Sequence, residues 1–471
     1  MGEMIEVQRR VPVVADVDVL VAGGGIAGAT AAVTAGREGA HVMLVERFGT
    51  LGGNMGPGMF SGGSMPYAHG HPHVMPEGLK GIPGEFINRA EGYADGELGH
   101  DYFRDSQVVS YVWLKMAEEN NVRLLLNTHV GDPILEGNHV AGLLVENKSG
   151  MQAIRAKVVI DATGDADVVA RACLLGQTSA AVDEGEGYSH PGMYFAIGGV
   201  DVEKYQNFLA NAPAPSPEDV RWAEEMFTKE FGLRWYVRSL NPLIPFLKRS
   251  VYMGQYNIVR RIGDLAVITV DHGFYPPRHG LVGAQVGLWG PKIHSGDAAM
   301  WTQLEVGARL YIFDTVQFLR RHVPGFERAY LHMISPYFHA RGGRSAVCDY
   351  CMSQEDVMRG ARFDDVVFLV YGSEREQEAP GSSDFPYRQF LPRGLEGILT
   401  AGRSTIIQPP TMRTRWKVFL MGQVVGLAAA IAARDGLTPR QIDVKKLQRL
   451  LVHKYHIPLG PPERLRELGL A

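Results

Sequence analysis

The chain has 471 residues, of which 45% are hydrophobic and 21% charged. This composition suits a folded protein of two or three folding units and excludes a disordered or coiled-coil role. Its 47 Lys and Arg against 51 Asp and Glu give a net charge of -4, so nothing favours binding to nucleic acid or an anionic membrane.

Three cysteines, Cys173, Cys348 and Cys351, are too few to staple such a chain and are compatible with a reducing compartment. The 56 glycines exceed the usual level of about 7% and point to close backbone approach at many places. The N-terminal segment carries Glu3, Glu6, Asp16 and Asp18 and lacks the apolar run of a signal peptide, so a cytoplasmic location is expected.

Residues 18–22 (DVLVA) read as a strand, followed at once by Gly23-Gly24-Gly25-Ile26-Ala27-Gly28. Residues 29–38 read as a helix ended by Gly39, and 41–45 (HVMLV) as a second strand closing on Glu46, which makes a βαβ unit. Helical spacing over 102–120 leads to a strand at 122–126. Strand-like runs near 139–146, 151–153 and 157–160 then predict an antiparallel meander laid on the parallel sheet.

From about residue 180 to 335 Pro-rich loops alternate with helices at 217–231 and 300–321 and a strand near 265–270, the texture of an inserted domain. Gly-rich apolar sequence returns at Gly397. The run 418–433 (VFLMGQVVGLAAAIAA) falls short of a bilayer span and reads as a buried helix. Thr438-Pro439 suits a helix start, with Val444, Leu447, Leu450 and Leu451 on one face. The expected fold class is therefore α/β: a Rossmann-like dinucleotide-binding domain with an antiparallel β-meander, plus an inserted α+β substrate domain. The expected divisions are 1–178, 179–390 and 391–471.

In GGGIAG, Gly23 permits the turn out of the strand, Gly25 lets the backbone close on a pyrophosphate, and Gly28 lets the helix pack on the sheet. The phosphates would meet the helix N-terminus at Ile26 and Ala27. Glu46 is placed to accept a ribose hydroxyl and would repel a 2′-phosphate, an argument that the adjacent Arg47 weakens.

Further on come Leu51-Gly52-Gly53-Asn54, then VVIDATGDAD at 158–167, then LTAGRS at 399–404 ahead of the long apolar helix. These segments, in this order, resemble the FAD-dependent oxidoreductases with the glutathione-reductase type of FAD fold, in the branch of fumarate reductase and succinate dehydrogenase flavoproteins. The resemblance covers roughly residues 15–175 and 335–453. It implies that Gly52, Gly53 and Asn54 approach the cofactor phosphates, and that Ala162, Thr163 and Gly164 lie near the adenosine half. It also implies that Gly402 and Arg403, with Gly422 and Gln423 of the next helix, approach the isoalloxazine. Non-covalent FAD is expected, because no histidine lies where relatives with a covalent flavin carry theirs. With one GxGxxG in the chain, a separate NAD(P)H site beside FAD is not expected. Hydride would pass directly between flavin and organic substrate, leaving the partner of the second half-reaction open: oxygen, a quinone, a protein carrier or a second small molecule.

The substrate side is read from fewer signals. His339-Ala340-Arg341-Gly342-Gly343-Arg344 stands where relatives carry an Arg-rich stretch, with Ser345 replacing one arginine. Arg341 and Arg344 could hold a carboxylate or polarise a carbonyl; the plainer reading pairs each with a structural acid. Arg415 best matches the arginine that relatives keep before the flavin-facing helix, as substrate anchor or proton donor, and Arg413 stays open. Tyr387 resembles a residue beside the flavin, against the plainer reading of a strand edge. His190, in SHPGM, is the candidate general base.

His69, His71 and His73 alternate as metal ligands on a strand would, but Pro66, Gly70 and Pro72 favour a loop, and no metal is expected. Cys348 and Cys351 form a CxxC that could be a redox dithiol beside the flavin; two buried small hydrophobes are the plainer reading. The expected enzyme is an FAD-dependent dehydrogenase or reductase of a small polar molecule. An oxygen-using oxidase or monooxygenase and a non-catalytic flavoprotein are the alternatives. Oligomeric state is not readable, and a homo-oligomer stays open.

Overall fold

The structure is a computed structural model that describes residues 5, 7–59, 78–93, 106–177, 179–184, 191–211, 221, 260–278, 280–289, 293–340, 342–371, 382–406 and 414–471. Strand β1 (Val13–Ala22), helix α1 (Ile26–Arg37) and strand β2 (Val42–Val45) form the expected βαβ unit, with β1 and β2 parallel and Val19 opposite Val42. The helix starts at Ile26 rather than residue 29, because the extended Gly25 already accepts the first helical hydrogen bond from Ala29 N. Residues Ile26 to Ala35 are all buried, so the helix carries small residues all round instead of one apolar stripe.

Helices α2 (Gly81–Tyr93) and α3 (Ser106–Glu119) follow, then β3 (Arg123–Leu125), β4 (His129–Glu136), β5 (His139–Asn147) and β6 (Gly150–Asp161). The runs expected as two strands near 151–153 and 157–160 are one strand, β6. Arg155 and Lys157 are exposed on it and interrupt the apolar run without ending the strand. The N-terminal half of β6 pairs antiparallel with β5, Gly142 opposite Arg155. Its C-terminal half lies parallel to β1 on one side and to Ile398–Thr400 on the other. The meander is thus not laid on the parallel sheet but continues it, in the order β3-β2-β1-β6-β5-β4. Val158 to Asp161 are buried throughout, as a strand flanked on both sides by parallel neighbours requires.

Helix α4 (Asp167–Leu174) and the short β7 (Val182–Asp183) lead into a second unit. It comprises β8 (Gly192–Gly198), α5 (Val202–Asn211), β9 (Arg260–Ile262), β10 (Ala266–Arg278), β11 (Leu281–Trp289), α6 (Ala298–His322) and β12 (Tyr330–Ile334). The five strands order as β12-β8-β11-β10-β9. Leu304, Ala308, Ile312 and Val316 of α6 pack in one core with Phe195, Ile197, Ala284 and Val286 of the sheet. Asp297 caps α6 by accepting from Met300 N. The helix expected at 217–231 lies, apart from residue 221, outside the described residues.

The chain then returns through β13 (Ser345–Ala346), α7 (Gln354–Met358), the hairpin β14 (Val366–Tyr371) and β15 (Ser382–Pro386), and β16 (Ile398–Thr400). Met352, Val357, Phe368, Phe385 and Phe390 belong to the core of α1. These core residues lie ahead of the division expected at 391. Helix α8 (Arg415–Asp435) has 21 residues, because its first turn includes the polar residues before the apolar run. Among the described residues it is the helix long and apolar enough to cross a membrane, yet its apolar window is 94% buried in the protein. It crosses α1 closely: a Cβ on Gly422 would stand 2.3 Å from Ala27 O, and one on Gly426 2.3 Å from Ala31 O. The tail forms α9 (Val444–His453) and α10 (Pro462–Glu467). Helix α9 starts after Asp443, which caps Lys445 N, and not at Thr438-Pro439.

Candidate active site

The turn after β1 is built by glycines with different tasks. Gly23 has φ +98, and a Cβ there would lie 2.5 Å from Ala162 O; a Cβ on Gly28 would lie 1.8 Å from Gly23 O. Both are required by protein packing. A Cβ on Gly25 meets nothing nearer than Gly53 Cα at 4.0 Å, so this glycine leaves open space beside the N-terminus of α1. The second glycine loop closes over it: Gly52 N donates to Gly24 O at 2.8 Å, and a Cβ on Gly53 would lie 2.8 Å from Gly25 Cα.

Glu46, 7% exposed at the end of β2, accepts from Gly24 N at 2.6 Å and Phe48 N at 2.9 Å. Burial pushes its carboxyl above the usual range, opposed by those backbone donors and by Arg47. On the neighbouring strand the fully buried Asp161 organises the ATG turn. Its Oδ1 accepts from the Thr163 hydroxyl at 2.7 Å, and its Oδ2 accepts from Val168 N at 3.0 Å at the start of α4. Ser404 Oγ donates to the same carboxylate and accepts from Gly164 N at 3.0 Å, which ties the ATG turn to the AGRS segment. Arg403 then forks onto Asp165, with Nη1 and Nη2 each 3.1 Å from a carboxylate oxygen, and donates to Gly342 O.

These elements enclose a cavity of about 380 Å³. Among the described residues, one side is Gly23, Gly25, Ile26, Ala27, Glu46, Arg47, Gly53, Asn54, Ala162, Thr163, Gly164, Gly402, Arg403 and Arg415, all readable in the sequence. The lining also includes Phe48, Asp165, Ser295, Trp301, Glu305, Tyr337, Phe338 and His339, none of which the sequence analysis named as a site residue. Asp165 and His339 lie inside segments that the sequence singled out and could have been included. Tyr337 stacks on Phe48 at 4.7 Å, Arg47 covers both rings, and the Tyr337 hydroxyl donates to Asn54 Oδ1 at 3.0 Å. Glu305 accepts from Phe338 N at 2.8 Å and pairs with Arg309. Arg415, 6% exposed, is the first residue of α8, so a guanidinium and a helix N-terminus place positive charge at one end of the cavity.

The remaining candidates are placed elsewhere. Gly28 and Gly52 serve the turn itself, and Gly422 lets α8 approach α1. Gln423 is fully buried, and its Oε1 accepts from Ile82 N at 2.9 Å, pinning the start of α2. Arg344 donates to Asp165 O at 2.8 Å and pairs with Asp167 at 2.6 Å, the structural-acid reading. Tyr387 is core: its hydroxyl donates to Pro439 O at 2.8 Å, and burial pushes its pKa up. Arg341, Arg413, His190, His69, His71 and His73 lie outside the described residues. Among the described residues no group of His, Cys, Asp and Glu is gathered as metal ligands. Cys348 is fully buried and its thiol is pushed up to about 12 by burial; burial also raises Cys351.

A parallel sheet carrying GGGIAG, a ribose-side acid and a second glycine loop defines a Rossmann-type dinucleotide-binding flavoprotein. The chain belongs to the FAD dependent oxidoreductase family, whose model matches residues 18–451; it is an enzyme and its cofactor is FAD. The residues fit that cofactor: Gly25 keeps space open at a helix N-terminus, and Glu46 stands within the same cavity. Among curated proteins the chain is similar to thiamine thiazole synthase of Pyrobaculum calidifontis, 34% identical over 208 residues, covering 38% of this chain and 75% of that protein. It is also similar to digeranylgeranylglycerophospholipid reductase of Methanosphaerula palustris, 26% identical over 212 residues, covering 44% and 51%. Among solved structures, a geranylgeranyl bacteriochlorophyll reductase-like protein of Thermoplasma acidophilum aligns over 94% of this chain and 84% of that one, with 15% identity and a TM-score of 0.45.

Proposed function

We propose that this enzyme transfers hydride between N5 of non-covalent FAD and a carbon of a small polar organic substrate, as a dehydrogenase or reductase. The observation that carries the reading is one continuous cavity: the dinucleotide turn forms one wall and Trp301, Glu305, Phe338 and His339 of the second unit form the other. Bound FAD supplies two-electron hydride chemistry there. The N-terminus of α1, with the space beside Gly25, receives the pyrophosphate, and Glu46 accepts a ribose hydroxyl. Arg403 is held by both oxygens of Asp165, so it stiffens the wall and does not act as a mobile proton donor. Arg415 and the N-terminus of α8 hold negative charge, whether a substrate carboxylate or charge developing on the reduced cofactor. Trp301 and Phe338, 6.0 Å apart, exclude water from the reacting end.

The domain limits follow the same division: the second unit, centred on residues 192–334, shapes specificity, and the rest of the chain holds the cofactor. The test begins with acid precipitation, which should release FAD into the supernatant. An anaerobic screen should then find organic substrates that bleach the flavin. Immediate reoxidation in air with peroxide or hydroxylated product would instead make the protein an oxidase or monooxygenase. Bound FAD that no candidate bleaches faster than buffer would make it a non-catalytic flavoprotein.

A further inference from the structure

Where the chain leaves the second unit it forms a short strap along the cavity. Pro336, which has no N–H to continue a ladder, follows the end of β12 at Ile334, and the next four residues, Tyr337, Phe338, His339 and Ala340, all line the cavity. Beyond the strand, the polar main-chain groups of such a segment need other partners. At the two ends of the strap they find them on β8: Ser335 N donates to Tyr194 O at 2.7 Å, His339 N to Gly192 O at 2.9 Å, and Gly192 N to His339 O at 3.0 Å. Side chains back this anchorage, since the Tyr194 hydroxyl donates to Gln285 Oε1 at 2.6 Å and Gln285 Nε2 stands 3.5 Å from His339 Nε2.

Between those ends the strap is held by side chains of α6. Arg309 Nη2 donates to Pro336 O at 2.8 Å and to Ser335 O at 3.3 Å, and Glu305 Oε1 accepts from Phe338 N at 2.8 Å. Glu305 and Arg309 stand one turn apart on the helix and pair with each other, so they act as one fastening. Glu305 lines the cavity, whereas Arg309 does not.

What the fastening positions is Tyr337. Its ring stacks on Phe48 with centroids 4.7 Å apart and planes within 24°, the Arg47 guanidinium lies 5.1 Å from its centroid, and its hydroxyl donates to Asn54 Oδ1 at 3.0 Å. Phe48 stands two residues after Glu46, and Asn54 directly follows Gly53, so one side chain bridges the two segments that close on the glycine turn. A loose segment would lose conformational freedom each time this ring docked. The bonds to Arg309 and Glu305 remove that freedom in advance, which keeps the bridge made for more of the time.

Resting on the reading that this cavity holds the dinucleotide, we propose that residues 335–340 are a clasp that retains FAD, fastened from the second unit by Glu305 and Arg309. Both are positioning residues: they act through the place they give Tyr337 and Phe338. Arg309 thereby sets how long the cofactor stays, although it is not part of the cavity lining. FAD leaves after Tyr337 parts from Phe48 and Asn54, and the fastening makes that parting rarer.

The test needs no turnover. When FAD-loaded protein is diluted, Arg309→Leu should quicken the return of flavin fluorescence about tenfold, the weight of its charge-assisted hydrogen bonds. The near-isosteric Glu305→Gln keeps an acceptor for Phe338 N but loses the ion pair, and should quicken release about threefold. The clasp also fixes how effects combine. With Tyr337→Ala the fastening has nothing left to hold, so adding Arg309→Leu should change release by less than about twofold, whereas independent sites would multiply. Hydrogen exchange in the apo protein reads the strap without FAD: Arg309→Leu should speed exchange across residues 335–340 and leave 192–198 of β8 as protected as in wild type. Multiplying release rates, unchanged exchange of the strap, or wild-type release from a strap that exchanges faster would each overturn the proposal. Wild-type FAD affinity in Gly25→Ala would show instead that the cavity is not the cofactor's, and the reading on which the clasp rests would fall first.

Discussion

The sharpest separation of cofactor chemistry from packing is the pair Gly25→Ala and Gly28→Ala, one methyl each in the same turn. At Gly28 the new Cβ would lie 1.8 Å from Gly23 O and 3.1 Å from Ala162 Cβ, against an ordinary carbon–oxygen contact of about 3.3 Å. The β1–α1 junction must therefore open by more than an ångström, and overpacking of that kind costs about 1–3 kcal/mol. At Gly25 the backbone is extended, with φ -66 and ψ -176, which alanine adopts freely, and the nearest atom is 4.0 Å away. Alanine there should leave the apo fold as stable as wild type, or stabilise it by about 0.4–1 kcal/mol through the unfolded chain. Its methyl would instead occupy the space of the pyrophosphate. Losing one charge-assisted hydrogen bond, about 1.5–3 kcal/mol, raises the FAD dissociation constant roughly tenfold to a hundredfold. Urea unfolding of apo protein and FAD titration by flavin fluorescence measure the two effects separately. Wild-type FAD affinity in Gly25→Ala, or wild-type stability in Gly28→Ala, would refute the division of roles.

Three further outcomes follow from side chains around the site. Tyr337→Phe keeps the stack on Phe48 but loses the 3.0 Å hydrogen bond to Asn54, so FAD release should quicken about three- to tenfold, measured by the return of flavin fluorescence. Gln423→Leu strands Ile82 N and should cost about 1–3 kcal/mol in urea unfolding while leaving the flavin spectrum unchanged; an altered spectrum with unchanged stability would return Gln423 to the cofactor site. Because burial pushes the Cys348 thiol up to about 12, it stays neutral near pH 8, where iodoacetamide should label it only after unfolding. Rapid native labelling, with two further electrons taken up per flavin, would restore the dithiol reading.

The cofactor half was legible because its signals are local. GGGIAG, the acid after the next strand and the AGRS segment each occupy consecutive residues, and each forms the turn or strand end that its spacing requires. Helix α6 likewise spans the stretch whose period announced it. The sequence says less where periodicity carries no address. Val366 to Val370 and Phe385 are apolar strands whichever core receives them, so the sequence placed them in the second domain and the packing places them with α1. Gly422 and Gln423 were assigned to the flavin by resemblance. One serves helix crossing and the other a buried backbone donor, tasks of the same helix that leave the same residues in the sequence.

The far wall of the cavity was hidden for a different reason, and that reason bears on where specificity resides. Tyr194 and Gln285 are 91 positions apart and Gln285 and His339 54, so their meeting is decided by the register of β8 against β11 and by a single bridge from Gly192 to His339. A slip of one residue would turn Gln285 to the opposite face and leave Tyr194 without its acceptor. The cavity wall built by the second unit is thus specified by long-range pairing within the second sheet, whereas the wall built by the dinucleotide turn is specified by short motifs. On the function proposed above, a change of substrate would proceed through the second unit's residues, such as Trp301 or Glu305, without touching the glycine turn. The reverse does not hold, because Gly23 and Gly28 also carry the packing of β1 against α1 and Ala162.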